Sequence, residues 1–83
     1  MTSMQTATLF QQPTIPTAKQ NKKVLDALLD AQGEWVNGRY FLHTLYLSQF
    51  HTRIHELERD HHWNIEHSEF VDEHGFKSYR IVL

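Results

Sequence analysis

The stretch Ser48-Gln49-Phe50-His51-Thr52-Arg53-Ile54-His55-Glu56-Leu57-Glu58-Arg59 constrains the fold more than any other part of the chain. Phe50, Ile54 and Leu57 recur at i, i+4 and i+7, which places three apolar side chains on one side of a helix. The spacing predicts a helix over 48–61, with Ser48 as its cap because a serine hydroxyl accepts from an orphan first-turn amide. The other face carries Gln49, Thr52, Glu56 and Arg59, flanked by Arg53 and His55. A polar helix face of this kind, preceded by another short helix, is how side chains are presented to a DNA groove.

With 83 residues there is room for one small domain with a modest core. A hydrophobic fraction of 40% favours a globular fold over a disordered chain. The absence of cysteine excludes disulfides and thiolate metal sites. No apolar run approaches the roughly 20 residues that span a bilayer, and the N-terminus lacks the pattern of a secretory signal. The expectation is a cytoplasmic protein with no membrane association.

Charge is less favourable to a nucleic-acid role. The formal net charge is −2 and the isoelectric point near 6.4, whereas DNA-binding domains often exceed about 9. Lys19, Lys22 and Lys23 cluster early, Arg39, Arg53 and Arg59 fall centrally, and Glu66, Glu69, Asp72 and Glu73 make the C-terminal side acidic.

Residues 1–16 contain no charged side chain, two prolines and many Thr and Gln, and read as a flexible N-terminal tail with Leu9, Phe10 and Ile15 as a possible docking segment. Regular signals begin at Thr17, so the domain is taken as 17–83. Thr17 and Gln20 have capping-box spacing, Val24, Leu25, Leu28 and Leu29 form an apolar face, and Gly33 is a stop residue. Glu34-Trp35-Val36 suits a brief strand or an anchored linker. Asn37 caps a second helix with Tyr40, Phe41, Leu42 and Leu45 on its buried side, and Tyr46-Leu47 is a tight connector. Two short helices joined by about three residues match a helix-turn-helix unit. Asn64–His67 and Tyr79–Leu83 then read as strands, the second with Tyr79, Ile81 and Leu83 on one face, around an Asp72-Glu73-His74-Gly75 turn. The expected fold is α+β, a winged helix-turn-helix in which three helices precede a C-terminal β-hairpin wing.

Glu34-Trp35-Val36-Asn37-Gly38, Arg53-Ile54-His55-Glu56-Leu57, Ile65-Glu66 and Tyr79-Arg80-Ile81-Val82-Leu83, in that order, resemble the small winged helix-turn-helix proteins of phages and prophages. The resemblance covers residues 21–83. It implies a sequence-specific binder of double-stranded DNA acting in transcription or recombination, and departs at Asp60-His61-His62-Trp63, where a glycine turn is expected.

In that geometry the third helix lies in the major groove. Gln49 reads adenine, Arg53 contacts guanine or phosphate, and Ser48 and Thr52 contact phosphate or a thymine methyl. His55 and Arg59 extend the same surface. Lys22, Lys23 and Arg39 neutralise backbone phosphates, with Lys77 and Arg80 near the wing. Blander roles compete: an Arg53 salt bridge to Glu56 or Glu34, a solvated face for Gln49 and Thr52, and core or hairpin packing for Trp35 and Trp63.

His51 and His55 have the i, i+4 spacing of zinc ligands, with His61, His62 or His67 as a third, but Arg59 stands where the metalloprotease motif needs histidine. No metal, cofactor or small-molecule substrate is expected. Neither is an enzyme, since no nucleophile–base set, paired carboxylate site or phosphate loop is present. Histidine-rich surfaces gain positive charge as pH falls toward about 6, which predicts tighter DNA binding in mild acid. A second copy or another DNA-bound protein is an expected partner, because linked modules multiply affinity. The alternative is a winged-helix protein-interaction module using the acidic hairpin and the apolar tail.

Overall fold

A computed structural model of the chain describes residues 12–83. Helix α1 spans Lys19–Asp30, strand β1 Val36–Asn37, a π-helix Tyr40–Thr44, helix α2 Phe50–Arg59, strand β2 Ile65–His67 and strand β3 Ser78–Ile81. The strands form one antiparallel sheet in the order β1-β3-β2. Val36 pairs with Tyr79, while Ile65 and His67 pair with Ile81 and Tyr79. The chain is therefore an α+β domain of three helices and a small three-stranded sheet. Among the described residues no helix is long and apolar enough to cross a membrane.

The apolar periodicities converge on one core. Val24, Leu25 and Leu28 of α1 meet Phe50, Ile54 and Leu57 of α2 over Ile65, Tyr79 and Ile81 of the sheet, with Phe41 and Leu47 filling the middle. Phe41 stacks on Phe50 with ring centroids 5.6 Å apart, and both meet Tyr79 edge-on at 6.3 and 6.2 Å. Such pairs add about 0.5–1.5 kcal/mol each beyond burial. Leu29 is half-buried, and Leu83, expected to follow Tyr79 and Ile81 inward, lies exposed past the end of β3.

The helix ends depart from expectation. Helix α1 starts from Ala18 with no side-chain cap, so the Thr17–Gln20 capping box does not form. Thr17 stands one residue upstream of the cap position, away from the amides it would satisfy. Helix α2 covers Phe50–Arg59 and not 48–61. Phe50 N donates to Leu47 O (3.3 Å), closing a turn that places Ser48 outside the helix, and Gln49 takes the cap position without a side-chain bond. At the other end Trp63 N donates to Leu57 O (3.1 Å) while His62 adopts φ +61°, so a histidine holds the left-handed position expected of glycine.

The second helix is a π-helix. Asn37 Oδ1 accepts from Arg39 N (2.8 Å) at its entry, but the cap position falls to Arg39 without a side-chain bond, and Leu45 N reaches five residues back to Tyr40 O (3.1 Å). This wider winding changes the side-chain phase. Phe41 is buried, Leu42 and Leu45 are half-buried, and Tyr40 is exposed, contrary to its expected place in the core. The connection to α2 runs over residues 45–49, longer than the expected three, with Tyr46 at φ +57° and exposed so that Leu47 turns inward.

Trp35 is not a core residue. It lies 46% exposed on the outer face of the sheet with the Arg80 guanidinium 4.8 Å above its ring. Trp63 is half-buried and donates to Thr14 O (2.8 Å), while Thr14 N donates to His61 O (3.0 Å). Residues 12–16, grouped with the tail on composition, are thus tied to the domain through Thr14, and Pro16 is buried. Leu9 and Phe10 of the suggested docking segment lie outside the described residues, and Ile15 is exposed.

Candidate nucleic-acid interface

Helix α2 turns its apolar stripe to the core, and a buried polar contact fixes its rotation. Asn21 of α1, only 4% exposed, donates through Nδ2 to Glu56 Oε1 (2.8 Å). Arg53 Nη1 donates to the same oxygen (2.8 Å) and lies 3.4 Å from Asn21 Oδ1. Glu56, placed on the outer face by the helical pattern, therefore belongs to the seam between α1 and α2. Arg53 shares that seam: its side chain is about a quarter exposed and its Nε is buried with no partner among the described residues. Asn21 was not singled out from sequence, because a lone asparagine in a helix usually points to solvent.

The exposed strip of α2 that remains is His51, Thr52, His55 and Arg59, preceded by exposed Ser48 and Gln49. Arg59 is held by its neighbour, donating from Nε and Nη2 to the Asp60 carboxylate (2.9 and 3.1 Å). Those bonds hold the Asp60 carboxyl below its ordinary range and raise the Arg59 guanidinium. The arginines of α2 are thus both ion-paired.

The other predicted cations are dispersed. Lys22 and Lys23 are exposed on α1. Arg39 is exposed at the entry to the π-helix, in a recess it shares with Tyr40, His43 and Asp72. Lys77 is exposed on the connection from β2 to β3, where its carbonyl accepts from Gly38 N (2.8 Å). Only Lys77 among them shares a cleft with the α2 strip, through His51 and His55. By spacing alone His51 is a metal-ligand candidate and not part of this surface. Among the described residues no group of three or more His, Asp or Glu side chains is placed to hold a metal ion.

The connection between β2 and β3 is built by its acids. Gly75, at φ +85°, donates to Asp72 O (3.0 Å), and Asp72 Oδ1 accepts from His74 N (2.8 Å) and Phe76 N (2.9 Å). Asn37 Nδ2 donates to Asp72 Oδ2 (3.1 Å), tying the loop to β1. The Phe76 and His74 amides, with Asn37, hold the Asp72 carboxyl below the usual carboxylate range. Glu66 pairs with Arg80 across the sheet. Glu73 lies 3.6 Å from His74, so three of the four C-terminal acids have partners, which lessens the repulsion a nearby phosphate would meet. No protein-family model, curated protein or solved structure matches this chain.

Proposed function

We propose that the chain is a winged helix-turn-helix protein that binds double-stranded DNA as a small transcriptional or recombination regulator. The observation that carries this reading is the rotation of α2. Its apolar stripe and the Asn21–Glu56–Arg53 contact face inward, leaving Thr52, His55 and Arg59 as an exposed polar strip beside the hairpin. The element order helix, strand, helix, helix, strand, strand, with β1 against β3, supports it.

In this reading α2 enters the major groove. Ser48, Gln49 and Thr52 face base edges, and His55 and Arg59 face the backbone. Lys22, Lys23 and Arg39 neutralise flanking phosphates. Arg53 acts by holding α2 on α1 and does not read a base. The protein acts by occupying its site, in the cytoplasm, with a second copy supplying the affinity that one near-neutral module lacks.

A second reading rests on the exposed Phe70 (80%) and Val71 (55%), which give the hairpin an apolar edge suited to a protein contact. An NMR titration with a short duplex at two salt concentrations separates the two. DNA binding moves the amides of Ser48, Gln49 and Thr52 and weakens steeply with salt. Shifts confined to Phe70 and Val71, or no salt dependence, would refute the DNA reading.

A further inference from the structure

The cleft between α2 and the hairpin has a composition that the DNA reading does not itself require. It holds about 300 Å³ and is lined by His51, Ile54 and His55 of α2, His67 of β2, Tyr79 of β3, and Val71, Gly75 and Lys77 of the connection. Its floor is apolar and its rim carries nitrogen donors. No carboxylate stands among the described residues that line it. Glu58, behind it on α2, has its Oε1 3.1 Å from His67 Nε2.

The walls are fixed. His51 packs on Phe50 with centroids 4.0 Å apart, and His67 meets Tyr79 edge-on at 5.0 Å. Lys77 is anchored through the Gly38 amide on its carbonyl. Gly75 leaves the mouth open, since a Cβ placed there meets no atom within 4 Å. The volume is at the lower end of ligand sites, suiting a single small group.

We propose that this cleft is a seat for one phosphate oxyanion, in which Lys77 supplies a fixed positive charge and His51 and His55 supply imidazole N–H donors. The occupant is a backbone phosphate of the bound duplex, so the proposal rests on the DNA reading and assigns it a phosphate contact. A phosphate diester presents two non-bridging oxygens to donors. Ammonium and imidazolium donors form short, charge-assisted bonds to such oxygens, which strengthen over an apolar floor.

The seat is also pH-dependent, because an imidazole has a second N–H donor and a charge only when protonated. The ionisable groups facing it are His51 and His55 from α2, with Glu58 behind them, His67 from β2, Tyr79 from β3, and Lys77 from the connection. His74 is turned to Glu73 at the loop tip, 3.6 Å away. Protonation of His67 neutralises Glu58, so every proton taken up here favours an anion.

The test is an NMR titration of the full chain with a short duplex, and in parallel with inorganic phosphate, at pH 8 and pH 6. The comparison is with Lys77→Gln and the double variant His51→Gln/His55→Gln, all exposed positions whose folding is checked by amide dispersion. Duplex should move the His51 and His55 ring signals and the Lys77 amide, and bind more tightly at pH 6. Lys77→Gln should lower the slope of log affinity against log salt by about 0.9, the value of one phosphate contact. The double histidine variant should reduce the pH dependence to the part that His67 supplies.

Duplex binding that moves Ser48 and Thr52 but leaves these three residues and the salt slope unchanged overturns the seat and spares the DNA reading. No duplex binding at either pH overturns both. Inorganic phosphate moving the three residues where duplex does not overturns the assignment to a DNA backbone and marks a site for a free anion.

Discussion

Arg53 offers the sharpest division between a reading and a holding role. Both partners of the Arg53–Glu56 pair are about a quarter exposed (25% and 27%), midway between two known regimes. Fully exposed pairs contribute about 0.2–1 kcal/mol, and removing one member of a buried pair costs about 3–5 kcal/mol. Glu56 keeps its bond from Asn21 when Arg53 is lost, which lowers the penalty. The 3.4 Å contact to Asn21 adds little, and the unpartnered buried Nε returns some desolvation when it is removed. Arg53→Met, which keeps the aliphatic stem, should therefore cost about 1 kcal/mol, and Arg53→Ala about 2 kcal/mol because the stem packing goes too. In a domain of this size the Met variant should melt about 4–8 °C lower by circular dichroism. Affinity ratios among duplexes, measured well below the melting point, should not change. An unchanged midpoint together with lost discrimination between duplexes would show that Arg53 reads a base and that the seam assignment is wrong.

Gly38→Ala should destabilise by about 1–2 kcal/mol, because the added Cβ meets Lys77 O and the Phe50 ring, both at 3.1 Å; urea unfolding measures it. His62→Gly should stabilise by about 0.5–1 kcal/mol in the same assay. Relief of a left-handed histidine, about 1–2 kcal/mol, exceeds the added unfolded-state entropy of glycine, about 0.5–1 kcal/mol. Asp72 has a depressed carboxyl, so its contribution is fully present above the unfolded range near 3.9 and is lost as pH falls below it. Asp72→Asn should accordingly flatten the acid limb of a plot of melting temperature against pH, and an unaltered limb would rule out the Asp72 cap as its source.

The apolar spacings were legible because burial enforces them. Phe50, Ile54 and Leu57, and Val24, Leu25 and Leu28, all lie in the core, as one-sided periodicity requires. Gly33 and Gly75 both have positive φ, where a missing Cβ relieves the clash. The caps were not legible, because Thr17 and Ser48 each miss the cap position by one residue, and local spacing is silent about such a shift. The π-helix was hidden for a related reason: its pattern differs from an α-helix only in phase, and the phase is set by Phe41 reaching Phe50 and Tyr79. The inward turn of Glu56 and Arg53 depended on Asn21, which is 35 residues from Glu56 in the chain. Pairings of that separation leave no periodic trace.

The same pairings change what net charge implies about the candidate interface. Arg53, Arg59 and Arg80 each have a carboxylate partner, so the eight formal cations overstate the charge available to a polyanion. The acids are reduced in the same way, as Glu56, Asp60 and Glu66 are the partners and Asp72 is engaged by amides. What stays exposed on and beside α2 is a set of imidazoles and one lysine. Under the proposed DNA reading, fixed charge on α1 then supplies non-specific attraction, while the α2 strip contributes donors whose charge follows pH. Under that reading a formal net charge of −2 does not by itself oppose a DNA-binding face, because Glu56, Asp60, Glu66 and Asp72 already have partners within the chain.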